Sequence, residues 1–109
     1  RGKIKGLSPM ELLLAALAGC SGIDIVSILK KQKINLSNLK MDVEGDRIED
    51  SIPSLFHKIK VNIWLEGNIP SEKAIRAVSL SFNKYCSVAK TLEYSTPIKY
   101  SIFLNGKKL

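Results

Sequence analysis

Residues 7–24, LSPMELLLAALAGCSGID, decide the fold. Ser8 can cap a helix, Pro9 suits the first helical position, and Glu11 completes a capping box with the serine. The helix should run to about Lys31, where neighbouring lysines favour the negative end of the helix dipole. The sequence therefore predicts one long N-terminal helix, about 34 Å from end to end.

The first half of this helix is apolar on all sides, which is typical of a helix that is buried all round. Its longest apolar stretch, residues 12–23, is shorter than the ~20 residues that a bilayer requires, so we expect no membrane partner. Gly19 and Gly22 flank Cys20, although each glycine costs about 1 kcal/mol in a helix interior relative to alanine. This clustering predicts that another element packs very close to Cys20.

Beyond this helix, the spacing of the apolar residues predicts the remaining strands and helices. Alternating apolar residues predict strands, and a spacing of three to four residues predicts helices. The expected elements are strands at 39–49, 59–65 and 98–104, a loop at 49–55, a helix opened by Pro70 and Ser71 that continues to Tyr85, and a short helix at 87–93. This order predicts a single α+β domain of two layers spanning residues 1–109. Three strands make a thin sheet, so we expect strands before Arg1 and a second chain to cover the long helix.

Composition excludes several classes of protein. The chain has 109 residues, 17 Lys+Arg against 10 Asp+Glu, and a formal charge of +7. Its lysines are scattered and only 6% of its residues are aromatic, so we expect no nucleic-acid partner. Two cysteines and one histidine cannot fill a four-ligand zinc site. No export signal is visible, so we expect a cytoplasmic protein whose cysteines are thiols.

The two cysteines admit two interpretations each. Cys20 lies mid-helix, where a free cysteine often only packs. A reactive Cys20 needs a thiolate, which burial and Asp24 one turn later both disfavour, so a cation must come from another element. Cys86 precedes a short helix whose N-terminus would favour a thiolate, or it is a packed small residue at a helix junction. Glu11 is explained as part of the capping box.

Two segments resemble the OsmC/Ohr family, and within it the YhfA-like branch. Residues 7–24 resemble the signature of the family's central helix. Residues 85–88, Tyr-Cys-Ser-Val, are similar to its second cysteine element, and Cys86 follows Cys20 by 66 residues in the expected order. The resemblance implies an α+β fold in which a long buried central helix packs on an antiparallel sheet within an intertwined homodimer. The N-terminal strands of the family, one of which carries an arginine that activates the thiol, are expected to be absent from this chain.

The resemblance also implies an activity, since characterised members are thiol peroxidases that reduce organic hydroperoxides in oxidative or osmotic stress. Cys20 then matches the peroxidatic cysteine and Cys86 the resolving one, with Glu11 as a further catalytic candidate. An external dithiol would reset the pair, and no metal, haem or flavin is required. The implied pocket is lined by Leu13, Leu17, Ile23 and Asp24. The alternative is a non-catalytic dimer that binds a small apolar or thiol ligand and whose cysteines are redox-idle.

Overall fold

The computed structural model describes residues 8–109 as an α+β arrangement of helices on one sheet. The elements in chain order are α1 (Pro9–Lys31), β1 (Leu36–Arg47), β2 (Phe56–Gly67), α2 (Ser71–Leu80), a π-helical turn (Ser81–Tyr85), α3 (Ser87–Leu92), β3 (Ile98–Leu104) and β4 (Lys107–Lys108). The predicted order is confirmed. The helix predicted to continue to Tyr85 changes to π-helical geometry after Leu80, and the two-residue β4 is too short to show a period.

The predicted start and end of α1 are confirmed. The Ser8 N–H donates to Glu11 Oε1 at 3.0 Å, and the Glu11 N–H donates to Ser8 Oγ at 3.3 Å, which is the reciprocal pair of a capping box. Lys30 and Lys31 lie in the last turn, where they oppose the negative end of the helix dipole. Local sequence signals alone therefore fix the position of this helix.

The sheet has the order β1-β2-β3-β4 and is mixed. β1 pairs with β2 antiparallel, as expected of neighbouring strands joined by a loop. The expectation of an antiparallel sheet is wrong at the next pair, because β3 runs parallel to β2. The chain passes through α2 and α3 between these strands, and such a helical crossover returns the chain in the same direction.

The core lies between α1 and the inner face of the sheet. Leu17, Ile25 and Leu29 of α1 are fully buried, and so are the alternate residues of β2, which are Ile59, Val61, Ile63 and Leu65. The other side of α1 is open: Ile23 is 72% exposed and Leu12 54%. Residues 8–109 of one chain therefore bury this helix along one side only, as expected of a sheet too thin to cover both of its faces.

The length and mean hydropathy of α1, 2.2 over its most apolar 18 residues, would also suit a membrane-crossing helix. The apolar stretch at residues 12–23 covers only part of this helix and understates its apolar length. Core helices of soluble proteins share these properties, so the absence of a membrane partner stays a prediction.

Residues 8–109 of one chain do not supply the predicted close approach at Gly19, which stays a prediction. A Cβ added there would meet nothing within 4 Å among the described residues. A Cβ on Gly22 would lie 3.4 Å from Met41 Sδ, which is ordinary contact. The tight position is instead Gly45 of β1, where an added Cβ would overlap the ring of Phe56. Gly19 therefore faces open space within the described residues, whereas the buried Gly22 packs against β1.

Candidate functional site

The two cysteines meet where α1 packs against the π-helical turn and α3. Cys20 is half-buried on α1, and Cys86 is buried between the π-helical turn and α3. The two Sγ atoms and a carboxylate oxygen of Asp24 all lie within 4.8 Å of one another. Both cysteines are free thiols. The fold thus brings together three reactive groups from two distant parts of the sequence.

Local backbone geometry fixes the position of Cys86. Its N–H donates to the Ser81 carbonyl at 2.7 Å and closes the π-helical turn. Its extended conformation makes it the N-cap of α3, and its sulfur accepts the Ala89 N–H at 3.4 Å. The cysteine is therefore held by both of the elements that it joins.

Burial above all, together with the hydrogen bond and charge of the neighbouring Cys20, raises the pKa of the Cys86 thiol to about 11, although the Ala89 N–H acts to lower it. The N–H groups at the start of α3 favour a thiolate, as expected, but desolvation outweighs their effect. At neutral pH the Cys86 side chain is a neutral thiol that can donate a hydrogen bond to Cys20.

Asp24 is held by a serine that the sequence analysis missed. Ser81 is fully buried, and its hydroxyl lies 3.3 Å from Asp24 Oδ2 and 3.2 Å from the Ser21 carbonyl oxygen. The Ser21 hydroxyl in turn donates to the Leu17 carbonyl at 2.7 Å. A buried serine on the apolar face of a helix could have been noticed in the sequence, but its partner lies 57 residues away.

The structure does not show which cation would activate Cys20. In residues 8–109 the two ion pairs, Lys58–Asp46 and Lys90–Glu93, involve no group at the cysteines. Arg47 donates to the Ser54 carbonyl on a distant loop. The activating arginine that the family resemblance implies belongs to an N-terminal strand and was not assigned to Arg1, so its role stays a prediction.

The other candidate residues have different surroundings in the single chain. Leu17 is in the core, Leu13 is 40% exposed, and Asp24 borders a small cleft of about 290 Å³ between α1 and the π-helical turn. Glu11 forms the capping box and precedes Cys20 by nine residues, which places it about 180° around the helix. The catalytic role of Glu11 stays a prediction.

A larger open groove of about 720 Å³ lies between the exposed side of α1 and β1. Its lining is mainly apolar or small: Ala18, Gly19, Gly22, Ile23, Val26, Leu39 and Met41, with Ser27 and Lys30 at one end. Of the four predicted pocket residues, Ile23 lines this groove. The missing Cβ atoms of the two glycines help to form its floor.

Comparison with known proteins adds the family context. The family model described as OsmC-like protein matches residues 2–101. Protein YhfA of Escherichia coli (strain K12) is 41% identical over 98 residues, which cover 89% of this chain and 72% of that protein. A crystal structure of a hypothetical protein from Aquifex aeolicus VF5 is 34% identical with a TM-score of 0.82, and the match covers 94% of this chain and 78% of that one.

A more distant crystal structure shares the fold. The organic hydroperoxide resistance protein OhrB of Bacillus subtilis has a TM-score of 0.66 at 22% identity, and the match covers 95% of this chain and 74% of that one. At this identity the likeness shows the fold alone. The central-helix and second-cysteine motifs are thus part of a fold that is shared well beyond close relatives.

Proposed function

This chain belongs to the OsmC-like protein family, and from that premise we propose that it is a thiol-dependent peroxidase that reduces organic hydroperoxides. The observation that carries the proposal is the meeting of Cys20 and Cys86, whose sulfur atoms lie within 4.8 Å of each other. The shared fold with a protein named for organic hydroperoxide resistance supports the choice of substrate. Oxidative or osmotic stress is the proposed setting.

The half-buried Cys20 is the proposed attacking group. Its thiolate attacks the outer oxygen of a hydroperoxide ROOH, the O–O bond breaks, and the alkoxide takes up a proton and leaves as the alcohol ROH. Cys20 becomes a sulfenic acid. The neutral Cys86 thiol lies beside it and can donate a hydrogen bond to the Cys20 sulfur.

In the resolving step Cys86 gives up its proton, because the thiolate and not the thiol is the nucleophile. Its sulfur attacks the Cys20 sulfur, a disulfide forms, and the sulfenic hydroxyl departs with the Cys86 proton as water. An external dithiol then reduces the disulfide and becomes oxidised itself. These steps need no further cofactor, so we propose none for the reaction.

The proposed protein is a cytoplasmic homodimer. The exposed apolar side of α1, with Leu12, Leu13, Ile23 and Val26 all at least 40% accessible, is the surface that supports a second chain. In such a dimer the groove beside α1 is closed over an alkyl group, which favours apolar alkyl hydroperoxides over small polar peroxides.

The test is a free-thiol count on the reduced protein before and after one equivalent of cumene hydroperoxide. We expect the wild type to lose both thiols. Cys86→Ser should stop at a sulfenic acid that a dimedone probe labels, and Cys20→Ser should keep its remaining thiol. Unchanged thiols in the wild type would refute the proposal.

The groove also favours a second candidate function, a binding protein for a small apolar ligand with redox-idle cysteines. Cys20 and Cys86 are not among the residues that line it, so binding there needs no thiol chemistry. Unchanged thiols together with saturable binding of a fluorescent fatty acid, lost in Gly19→Trp, would select this function.

A further inference from the structure

The cysteine site contains a third potential ligand that the peroxidase chemistry does not use. Asp24 follows Cys20 by one helical turn, so both side chains leave α1 on the same face. The carboxylate oxygen lies within 4.8 Å of both sulfur atoms. Two thiols and one carboxylate that converge on one point form a typical ligand set for a thiophilic divalent cation.

The spacing of these atoms suits zinc. In tetrahedral coordination with Zn–S bonds of 2.3 Å, two sulfur ligands lie about 3.8 Å apart and a carboxylate oxygen lies about 3.5 Å from each sulfur. Since each pair is already within 4.8 Å, the three donors need to close by only about 1 Å. Side-chain rotation about χ1 supplies such movements without displacing a helix.

The surroundings already orient the donors as a metal site does. The Ser81 hydroxyl lies 3.3 Å from Asp24 Oδ2 and leaves Oδ1 for another partner. The Ala89 N–H points at the Cys86 sulfur from 3.4 Å, which is the kind of N–H···S contact that stabilises a metal-bound thiolate. The half-buried Cys20 gives a cation a route to the site from solvent.

From this convergence we propose that Cys20, Cys86 and Asp24 bind one Zn²⁺ ion per chain, with a fourth position open to water. Two cysteines and one histidine cannot form a four-ligand structural zinc site. A site with three protein ligands and an open position is a different kind of zinc site. The bound ion ties up both sulfur atoms. Zinc binding therefore blocks the reactions of both thiols, and its release restores them.

One consequence rests on the proposed peroxidase function. A hydroperoxide that oxidises the two zinc-bound thiolates forms the disulfide, and with two protons from water it yields the alcohol and one water molecule. A disulfide is a poor zinc ligand, so the ion is released. Zinc binding itself does not depend on this reaction and is measured separately.

The binding test uses the reduced full chain, freed of metal, with Zn²⁺ titrated in competition with a chromophoric chelator. We expect one equivalent of zinc per chain. Cys20→Ser and Cys86→Ser should each weaken the affinity by more than about 100-fold, and Ser81→Ala by about tenfold because it loses an outer partner of Asp24. The loss of zinc affinity in Asp24→Asn should lie between these two values. Asp42→Asn, at an exposed carboxylate, is the matched control and should bind zinc like the wild type.

A second measurement separates a lost ligand from a misfolded variant. With Co²⁺ in place of zinc, the wild type should show a near-ultraviolet sulfur-to-metal charge-transfer band, and circular dichroism of each variant reports its helix content. Absence of stoichiometric zinc binding by the wild type, or unchanged affinity in folded Cys20→Ser, would overturn the zinc site. Zinc binding without loss of thiols to hydroperoxide would overturn the peroxidase instead and leave the zinc site standing.

Discussion

At the residue scale, Cys86 is subject to two opposing influences. It occupies the N-cap of α3, where an N–H donor favours a thiolate, and it is fully buried, which favours the thiol. Burial dominates, and the pKa of Cys86 rises from 9.0 to about 11. The proton that Cys86 keeps at neutral pH can later leave as water together with the hydroxyl of a Cys20 sulfenic acid.

This shift predicts a dependence of stability on pH in the reduced, metal-free protein. Below pH 9 both the folded and the unfolded chain keep the Cys86 proton, and its stabilising contribution is fully present. As pH rises from 9 to about 11 the unfolded chain releases the proton first, so the free energy of unfolding should fall by up to about 3 kcal/mol. Urea unfolding of the wild type and Cys86→Ser across this range measures the difference, and parallel pH profiles would contradict the assignment.

At the element scale, the turn after β2 depends on one glycine. Gly67 has φ +144°, its N–H donates to Asn105 Oδ1 at 3.0 Å, and its carbonyl accepts the Asn105 Nδ2 at 2.9 Å. An added Cβ would lie 2.6 Å from the Asn35 carbonyl oxygen. This close approach joins the end of β2 to the turn before β1 and the turn after β3.

Gly67→Ala should therefore destabilise the protein by about 3 kcal/mol, since backbone strain and a backbone clash combine. Gly106→Ala is the matched control: Gly106 also has a positive φ, +84°, but no described residue has an atom within 4 Å of its added Cβ. We expect the control to lose only about 1 kcal/mol. Thermal unfolding of both variants compares them, and equal losses would rule out the clash.

At the scale of the whole molecule, α1 packs against the sheet and the other helices on one side and is exposed to solvent on the other. Apolar side chains on the exposed side, such as Ile23 at 72% exposure and Val26 at 42%, border the open groove. An exposed apolar surface of this kind is typical of an interface. The proposed second copy would cover it.

The homodimer predicts the effect of a charge on this surface. Ile23→Lys should raise the dimer dissociation constant by about 100-fold, because an interface of this kind would bury the charge without a partner. Tyr94→Lys, at a site 89% exposed beyond α3, should leave the dimer intact. Light scattering during size-exclusion chromatography measures the mass, and a monomeric wild type or a fully dimeric Ile23→Lys would contradict the prediction.

The sequence by itself determined the elements and the family. Ser8, Pro9 and Glu11 place the start of α1 because capping is local, and alternation places β1 and β2 because a half-buried strand has a period of two. Cys20 and Cys86 could be matched to a family because both lie in recognisable motifs.

Only the tertiary structure decided strand direction, burial and the composition of the site. The parallel pairing of β2 with β3 depends on where the helical crossover returns the chain, which no local pattern records. The hydrogen bond of Ser81 with Asp24 and the approach of Cys86 to Cys20 and Asp24 join residues about 60 positions apart. Charge and hydrogen-bonding effects fall off with distance in space. The raised pKa of Cys86 and the proposed three-ligand site therefore arise only once the chain has folded.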